Sequence, residues 1–212
     1  MQLISKDGYG IFERENSVFY STGENFYEYN FIEITEITID NYLEKKYGKE
    51  NQYWKQPFDE FIKLKNENFI TTFYQEDEMR LHMKNGEIVK KFEKIRSPLR
   101  MGIYGMAIDK NEKLWIAVPV EHFVGKFNIE TEEEIFSISG KELEPTIFEY
   151  PEYVTAINDF IYVSDMGNRR IMKINIHNHK ITDYKKLNER IYYFSQLNGK
   201  NIYQLESGIY FE

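Results

Sequence analysis

Apolar and polar positions alternate along most of the chain, and Asn-containing turns interrupt the alternation at a nearly constant interval. The same pattern occurs five times: an alternating segment, an Asn turn, then a segment rich in β-branched and aromatic residues. The copies are Ile11 to Tyr20, Ile62 to Phe73, Met106 to Val118, Val154 to Asp165 and Phe194 to Leu205, with Asn16, Asn66, Asn111, Asn158 and Asn198 at the turns. Alternation on both sides of a turn predicts a β-hairpin. Asn suits the turn because it tolerates left-handed backbone angles and bonds its own backbone. Successive Asn residues lie 50, 45, 47 and 40 positions apart.

Two further strands of lower apolar content are predicted after each hairpin, such as Phe123 to Ile129 with Glu134 to Ser139, and Arg170 to Ile176 with Lys180 to Lys186. Asn85-Gly86 separates another such pair, Met79 to Lys84 and Glu87 to Phe92. Four strands at an interval of about 40 to 50 residues make one blade of a β-propeller. The fifth unit has only three strands, ending with Gly208 to Phe211, whereas Gln2 to Lys6 forms a strand ahead of the first unit. Pairing these two closes the ring and removes an exposed sheet edge. The expected fold is therefore all-β, a single β-propeller domain over residues 1–212 with five four-stranded blades and the N-terminal strand completing the last. An insertion at Asn41 to Pro57, carrying Tyr42, Tyr47, Tyr53 and Trp54, breaks the periodicity. It reads either as a short surface helix over a blade seam or as a binding loop.

The stretch Tyr162-Val163-Ser164-Asp165-Met166-Gly167-Asn168-Arg169-Arg170-Ile171 resembles the V-x-D-x-G-N-x-R-I core of the NHL-repeat β-propellers. Gly105 to Asp109 with Leu114 to Ala117 is similar to that family's first two strands, although the third unit then has Pro119-Val120-Glu121-His122 in place of the core. The resemblance implies a propeller and no particular activity, because one fold hosts many functions. It also implies that Asp165 and Arg170 brace a tight turn, and that Arg169, outside the motif, is free to meet a partner. The other reading of that segment is a charged site, with Asp165 as a ligand and an Arg as an anion clamp.

Composition narrows the functional classes. With 27 Lys and Arg against 35 Asp and Glu, the 212-residue chain carries a formal charge of −8. A nucleic-acid binder needs a basic stripe to displace counterions, so direct nucleic-acid binding is not expected. The absence of cysteine removes thiolate metal sites, thiol nucleophiles and disulfides, and suits a reducing, cytoplasmic address. No segment reads as a signal peptide or membrane span.

Candidate chemistry is sparse. His177 and His179 alternate around a turn and could chelate weakly from one strand face, but a solvated turn explains them as well; His82 falls on the polar phase of a strand, and His122 in a turn. Enzymatic propellers resembling the lactonases and sugar hydrolases hold a divalent cation on the axis, and Glu13, Asp109, Asn158 and Asp165 are donors by residue type. A metal-dependent lactone or sugar hydrolase is the alternative function. No nucleophile elbow, phosphate loop or defensible carboxylate pair is present, and no cofactor or metal is expected.

The acids are more informative. Turns joining second to third strands emerge on the same propeller face as the connections between blades, and each such turn carries an acid: Glu24, then Glu76-Asp77-Glu78, Glu121, Asp165 and Glu206. The connection Ser139 to Glu152 adds Glu142, Glu144, Glu149 and Glu152 against Lys141, while Arg96, Arg100 and Arg169 dilute the field. An acidic face with aromatic anchors favours fast, tight binding of a basic partner. The expected function is a non-catalytic protein-binding propeller, of inhibitor or immunity type. It would act as a monomer on a basic protein such as a nuclease toxin, through Glu76, Asp77, Glu78, Glu121, Glu142, Glu144, Tyr47, Tyr53, Trp54 and Arg169.

Overall fold

The computed structural model describes residues 1–48, 60–73, 78–95, 102–139 and 147–212. It opens with β1 (Gln2–Ser5), followed by a sheet of β2 (Tyr9–Arg14), β3 (Ser17–Thr22), β4 (Asn25–Tyr29) and β5 (Ile34–Ile37). Helix α1 (Ile39–Tyr47) precedes the second sheet, made of β6 (Glu60–Lys63), β7 (Phe69–Phe73), β8 (Glu78–His82) and β9 (Ile88–Phe92). The third contains β10 (Gly105–Ile108), β11 (Lys113–Val118), β12 (Phe123–Asn128) and β13 (Glu134–Ile138). The fourth contains β14 (Pro151–Ile157), β15 (Phe160–Asp165), β16 (Arg170–Asn175) and β17 (Ile181–Lys186). The last is β18 (Ile191–Leu197), β19 (Lys200–Leu205) and β20 (Gly208–Phe211), with β1 as its outer strand. Five four-stranded antiparallel sheets in a ring make a five-bladed β-propeller, closed by the N-terminal strand as the repeat arithmetic predicts.

The second strand of each blade explains why these segments read as continuous apolar runs. Each is sandwiched between two neighbouring sheets, so both of its faces are buried. Trp115 and Ala117 pack with Val154, Ile161, Val163 and Met172 of the fourth blade, while Leu114, Ile116 and Val118 pack with Ile70, Met79 and Phe92 of the second. Successive side chains of one strand thus supply two separate cores. Tyr162 and Ile171 meet Phe194 and Tyr203 across the next seam, and Val18 and Tyr20 meet Tyr193, Ile202 and Ile209 across the closing one.

Helix α1 fills the seam between the first and second blades, which settles the first part of the insertion as a helix. Thr38 caps it by accepting from the Asn41 backbone at 3.2 Å, Asp40 sits in the first turn, and Lys45 and Lys46 sit in the last. Each placement complements the helix dipole. Tyr42, its buried residue, packs on Phe12 and Phe26 at ring distances of 5.2 and 4.7 Å and donates its hydroxyl to Gly10 O. Residues 49–57 of the insertion lie outside the described residues.

Two local expectations are corrected. Only Asn158 and Asn198 take left-handed angles; in the first three hairpins Glu15, Glu67 and Glu112 do so instead. Asn66 serves there as an acceptor, taking the Asn68 N–H at 3.1 Å, and Asp109 takes those of Asn111 and Lys113. In the second and third hairpins it is the side-chain oxygen, not the positive φ of an Asn, that the turn uses. His82, expected on a polar strand face, is buried and stacked on Phe69 at 4.6 Å, with its ring nitrogens against Thr71 Oγ1 and Gly86 O.

Candidate binding surfaces

Antiparallel order sends every first-to-second hairpin turn to one end of the propeller, and every second-to-third turn and inter-blade connection to the other. The second end was expected to be acidic. There Glu24, Glu149 and Glu206 are exposed, alongside exposed Lys6, Arg169 and Arg190. Glu78 starts β8 at this end, but Arg80 and Lys91 grip its carboxylate, the latter at 3.0 Å, and hold its pKa below the usual range. Glu121 is only 2% exposed, within the short helical turn Pro119–Glu121, so it cannot meet a partner from this fold. Glu76, Asp77, Glu142, Glu144, Tyr53 and Trp54 lie outside the described residues.

Tyr47 departs from expectation because α1 runs back across the blade. The carbonyls of Lys45 and Lys46 accept from Arg14 Nε at 3.1 Å and Nη2 at 3.2 Å, and Lys45 lies 3.7 Å from Glu15. The end of the helix therefore sits beside the first-to-second turns, away from the acidic connections. There Tyr47 packs edge-on against Phe61, and burial with the nearby charge of Glu60 pushes its hydroxyl up to about 12.

Asp165 is fully buried and accepts from Glu149 N at 2.7 Å, Asn168 Nδ2 at 3.0 Å and Arg170 Nε at 2.8 Å. With every near donor turned inward, it braces a turn and presents nothing to solvent. Asp109 is likewise consumed, taking Trp115 Nε1 at 3.0 Å with Lys126 Nζ 3.7 Å away. Asn158 sits in an exposed turn. His177 and His179 part company: His177 pairs with Asp159 at 3.1 Å, whereas His179 stacks on Phe136 at 4.3 Å. His122 accepts the Tyr150 N–H at 3.2 Å and ties two connections together. Among the described residues no three acidic, histidine or cysteine side chains converge to hold a metal ion.

Of the four axial donors proposed by residue type, only Glu13 reaches the axis. The innermost strands β2, β6, β10, β14 and β18 enclose a channel of about 450 Å³, with Glu13, Glu60, Tyr153, Thr155, Tyr193 and Ser195 in its wall. Register shifts at Tyr9/Phe12, Pro151/Tyr153 and Ile191/Tyr193 fall in three of these strands. Bulges of this kind re-aim side chains. Tyr193 donates to Glu13 Oε2 at 2.6 Å, and its ring lies 4.8 Å from that of Tyr153. Among the described residues, Glu13 Oε1 is shielded from solvent and meets no hydrogen-bond donor. Burial raises the Glu13 pKa above 4.5, against the pull of Tyr193 and Ser195.

That shift carries a sign. A carboxyl whose folded pKa is raised loses stability for the protein as pH climbs past its unfolded value. Glu13→Gln is therefore expected to melt at a higher temperature than the parent at pH 7, with the advantage fading as pH falls toward 4.5. Melts across pH 4 to 8 check this, and a variant that is less stable at every pH would show that the carboxylate is not strained.

No family model matches the chain, and no curated protein matches it. Solved structures do. These neighbours are β-propellers. A catalytically inactive virginiamycin B lyase from Staphylococcus aureus with quinupristin aligns over 96% of this chain at 15% identity and a TM-score of 0.57. The present chain spans 64% of that lyase. Saccharomyces cerevisiae Sqt1 aligns over 96% of this chain and 58% of its own, at 12% identity and a TM-score of 0.55. The Neurospora crassa Pan2 WD40 domain aligns over 93% and 56%, at 9% identity and 0.53. At these identities the likeness establishes the fold, and the fold is shared by an enzyme and by WD40 domains alike.

Proposed function

We propose that this chain is a non-catalytic, NHL-like protein-binding propeller of inhibitor or immunity type, acting in a reducing compartment on a basic protein such as a nuclease toxin. The observation that carries the reading is the gathering of acids at one end of the ring. Among the described residues this end exposes Glu24, Glu149 and Glu206 beside Lys6, Arg169 and Arg190, and the remaining acids of the reading, Glu76, Asp77, Glu142 and Glu144, lie outside the described residues. Charge of one sign over a surface steers an oppositely charged partner and masks a phosphate-binding site of complementary sign. The WD40 neighbours are consistent with a binding role, and the buried commitments of Asp109 and Asp165 weigh against the hydrolase alternative.

The test uses the immobilised chain and extract of its source cells. One basic protein should be retained at about 0.1 M salt and released at about 1 M, where the screening length falls from about 10 to about 3 Å. Combining Glu76→Lys and Asp77→Lys with Glu24→Lys and Glu206→Lys should slow association of that protein at least about tenfold. Glu78 is left intact, because its carboxylate is committed to Arg80 and Lys91. An association rate unchanged by the four reversals would reject the acidic face.

A further inference from the structure

We propose that the groove between the last and first blades binds a small monocarboxylate with an apolar body, its charge taken by Lys200. Lys200 opens β19 directly after a first-to-second turn, so the groove lies at the opposite end of the ring from the acidic connections and does not depend on them. Its volume is about 450 Å³, within the range of small-molecule pockets, about 300 to 1,000 Å³. Leu3 and Ile4 line it from the last blade, and Ile32 and Ile34 from the first. Both blades also contribute aromatic surface, with Tyr29, Phe31 and Phe211 at ring distances of 5.3, 5.6 and 6.0 Å from one another.

Two polar groups in this apolar lining lack the partners such groups ordinarily have. Lys200 is half-buried, its Nζ 5.1 Å over the Phe31 ring and 4.7 Å over that of Phe211, and among the described residues no carboxylate pairs with it. The rings hold the ammonium in place and leave its three N–H donors unspent. Tyr29 is only 7% exposed, and among the described residues its hydroxyl has no hydrogen-bond partner. A buried tyrosine hydroxyl usually finds one. Both groups border the same pair of rings, so one carboxylate meets them together, and its bond to the ammonium is charge-assisted.

The lining selects the class of ligand. Lys200 repels an amine, and Glu33, exposed on the rim, opposes a dianion such as phosphate more than it opposes a single carboxylate. The apolar body finds its surface on the aromatic rings and on Leu3, Ile32 and Ile34, which are 42%, 90% and 48% exposed without a ligand. The lip that carries Ile32 is fixed in advance. Asn30 Oδ1 accepts the N–H groups of Ile32 at 3.0 Å and Glu33 at 2.9 Å, and Phe31 is held at a φ of 69°.

The experiment titrates the intact protein with 4-phenylbutanoate by calorimetry and thermal melting, with 4-phenylbutan-1-ol and 4-phenylbutan-1-amine as matched neutral and cationic probes and inorganic phosphate as the dianion. Near a hundredfold excess over Kd, the carboxylate should raise Tm by about 5 to 10 °C, and the other three probes should leave it unchanged. Lys200→Met keeps an apolar side chain of similar length and removes the charge, and should weaken carboxylate binding about 10- to 100-fold. Tyr29→Phe removes the hydroxyl alone and should weaken it about 3- to 10-fold, which keeps a reading if the lysine variant fails to fold. A parent protein that ignores the carboxylate, equal binding of the alcohol, or variants that bind as the parent does would overturn the proposal. So would a dimer in sedimentation that Ile32→Asp dissolves and the carboxylate does not, since the groove would then belong to a second copy of the chain.

Discussion

Removing residues 1–7 lowers the melting temperature by about 6 to 16 °C and makes the protein self-associate through the opened edge. The estimate takes about 3 to 4 kcal/mol for the lost strand, at about 1 kcal/mol per net hydrogen bond, and about 2 to 4 °C per kcal/mol for a chain of this size. The structural basis is β1, which pairs Gln2 with Phe211, Leu3 with Tyr210 and Ser5 with Ile209. Ile4 packs against the cluster of Val18, Tyr20, Tyr193, Ile202 and Ile209 that joins the last blade to the first. The junction is tight enough to demand a glycine: Gly208 has a φ of 140°, and a Cβ there would run into Ser5 O. Without β1, β20 becomes a bare edge strand and a template for a second copy. Melting curves and light scattering across a concentration series report both effects. An unchanged melt with unchanged scattering would mean that the ring does not depend on this strand.

Asp165→Ala is expected to cost about 3 to 5 kcal/mol, the range for removing one partner of a buried ion pair, and so to lower Tm by about 6 °C or more. The residue receives three donors at 3.0 Å or less, from Glu149, Asn168 and Arg170. Arg170 also reaches Asp183 at 3.3 Å and the Ile147 carbonyl. Alanine leaves the Glu149 N–H without its acceptor and takes the buried carboxylate from the Arg170 guanidinium, which keeps only Asp183 and the Ile147 carbonyl, and the β13–β14 connection loses its anchor to the fourth blade. Asp165→Asn keeps most of the contacts and loses the charge, so its loss should fall between parent and alanine. Equilibrium denaturation measures both. A loss under about 1 kcal/mol for alanine would show that the turn holds itself, and would return Asp165 to the candidates for chemistry.

The contrast between Asp165 and Glu13 shows what a sequence can reveal. Asp165 could be read as a brace because its partners Asn168 and Arg170 lie within five residues, so the D-x-G-N-x-R pattern is itself the local structure. Glu13 could be named as an axial donor by residue type alone, because its channel partner Tyr193 belongs to a different repeat. Glu121 read as a surface acid because it falls in a second-to-third turn, yet the short helix that starts at Pro119 tucks it inward. Tyr47 shared an insertion with other aromatics, but the direction of α1, fixed by Tyr42 against Phe12 and by Arg14 on the last helical carbonyls, took it to the opposite end.

The sequence by itself determined the strands, the hairpin turns, the fivefold repeat and the closing strand. Each of these follows from side-chain period and turn chemistry within a few residues, or from counting units along the chain. Only the tertiary structure decided which side chains meet. Tyr193 and Glu13 are 180 positions apart and come within 2.6 Å because ring closure sets the last inner strand beside the first. The helix in the first seam and the commitment of Glu78 to Lys91 were decided in the same way, by contacts between segments whose separation along the chain no local pattern encodes.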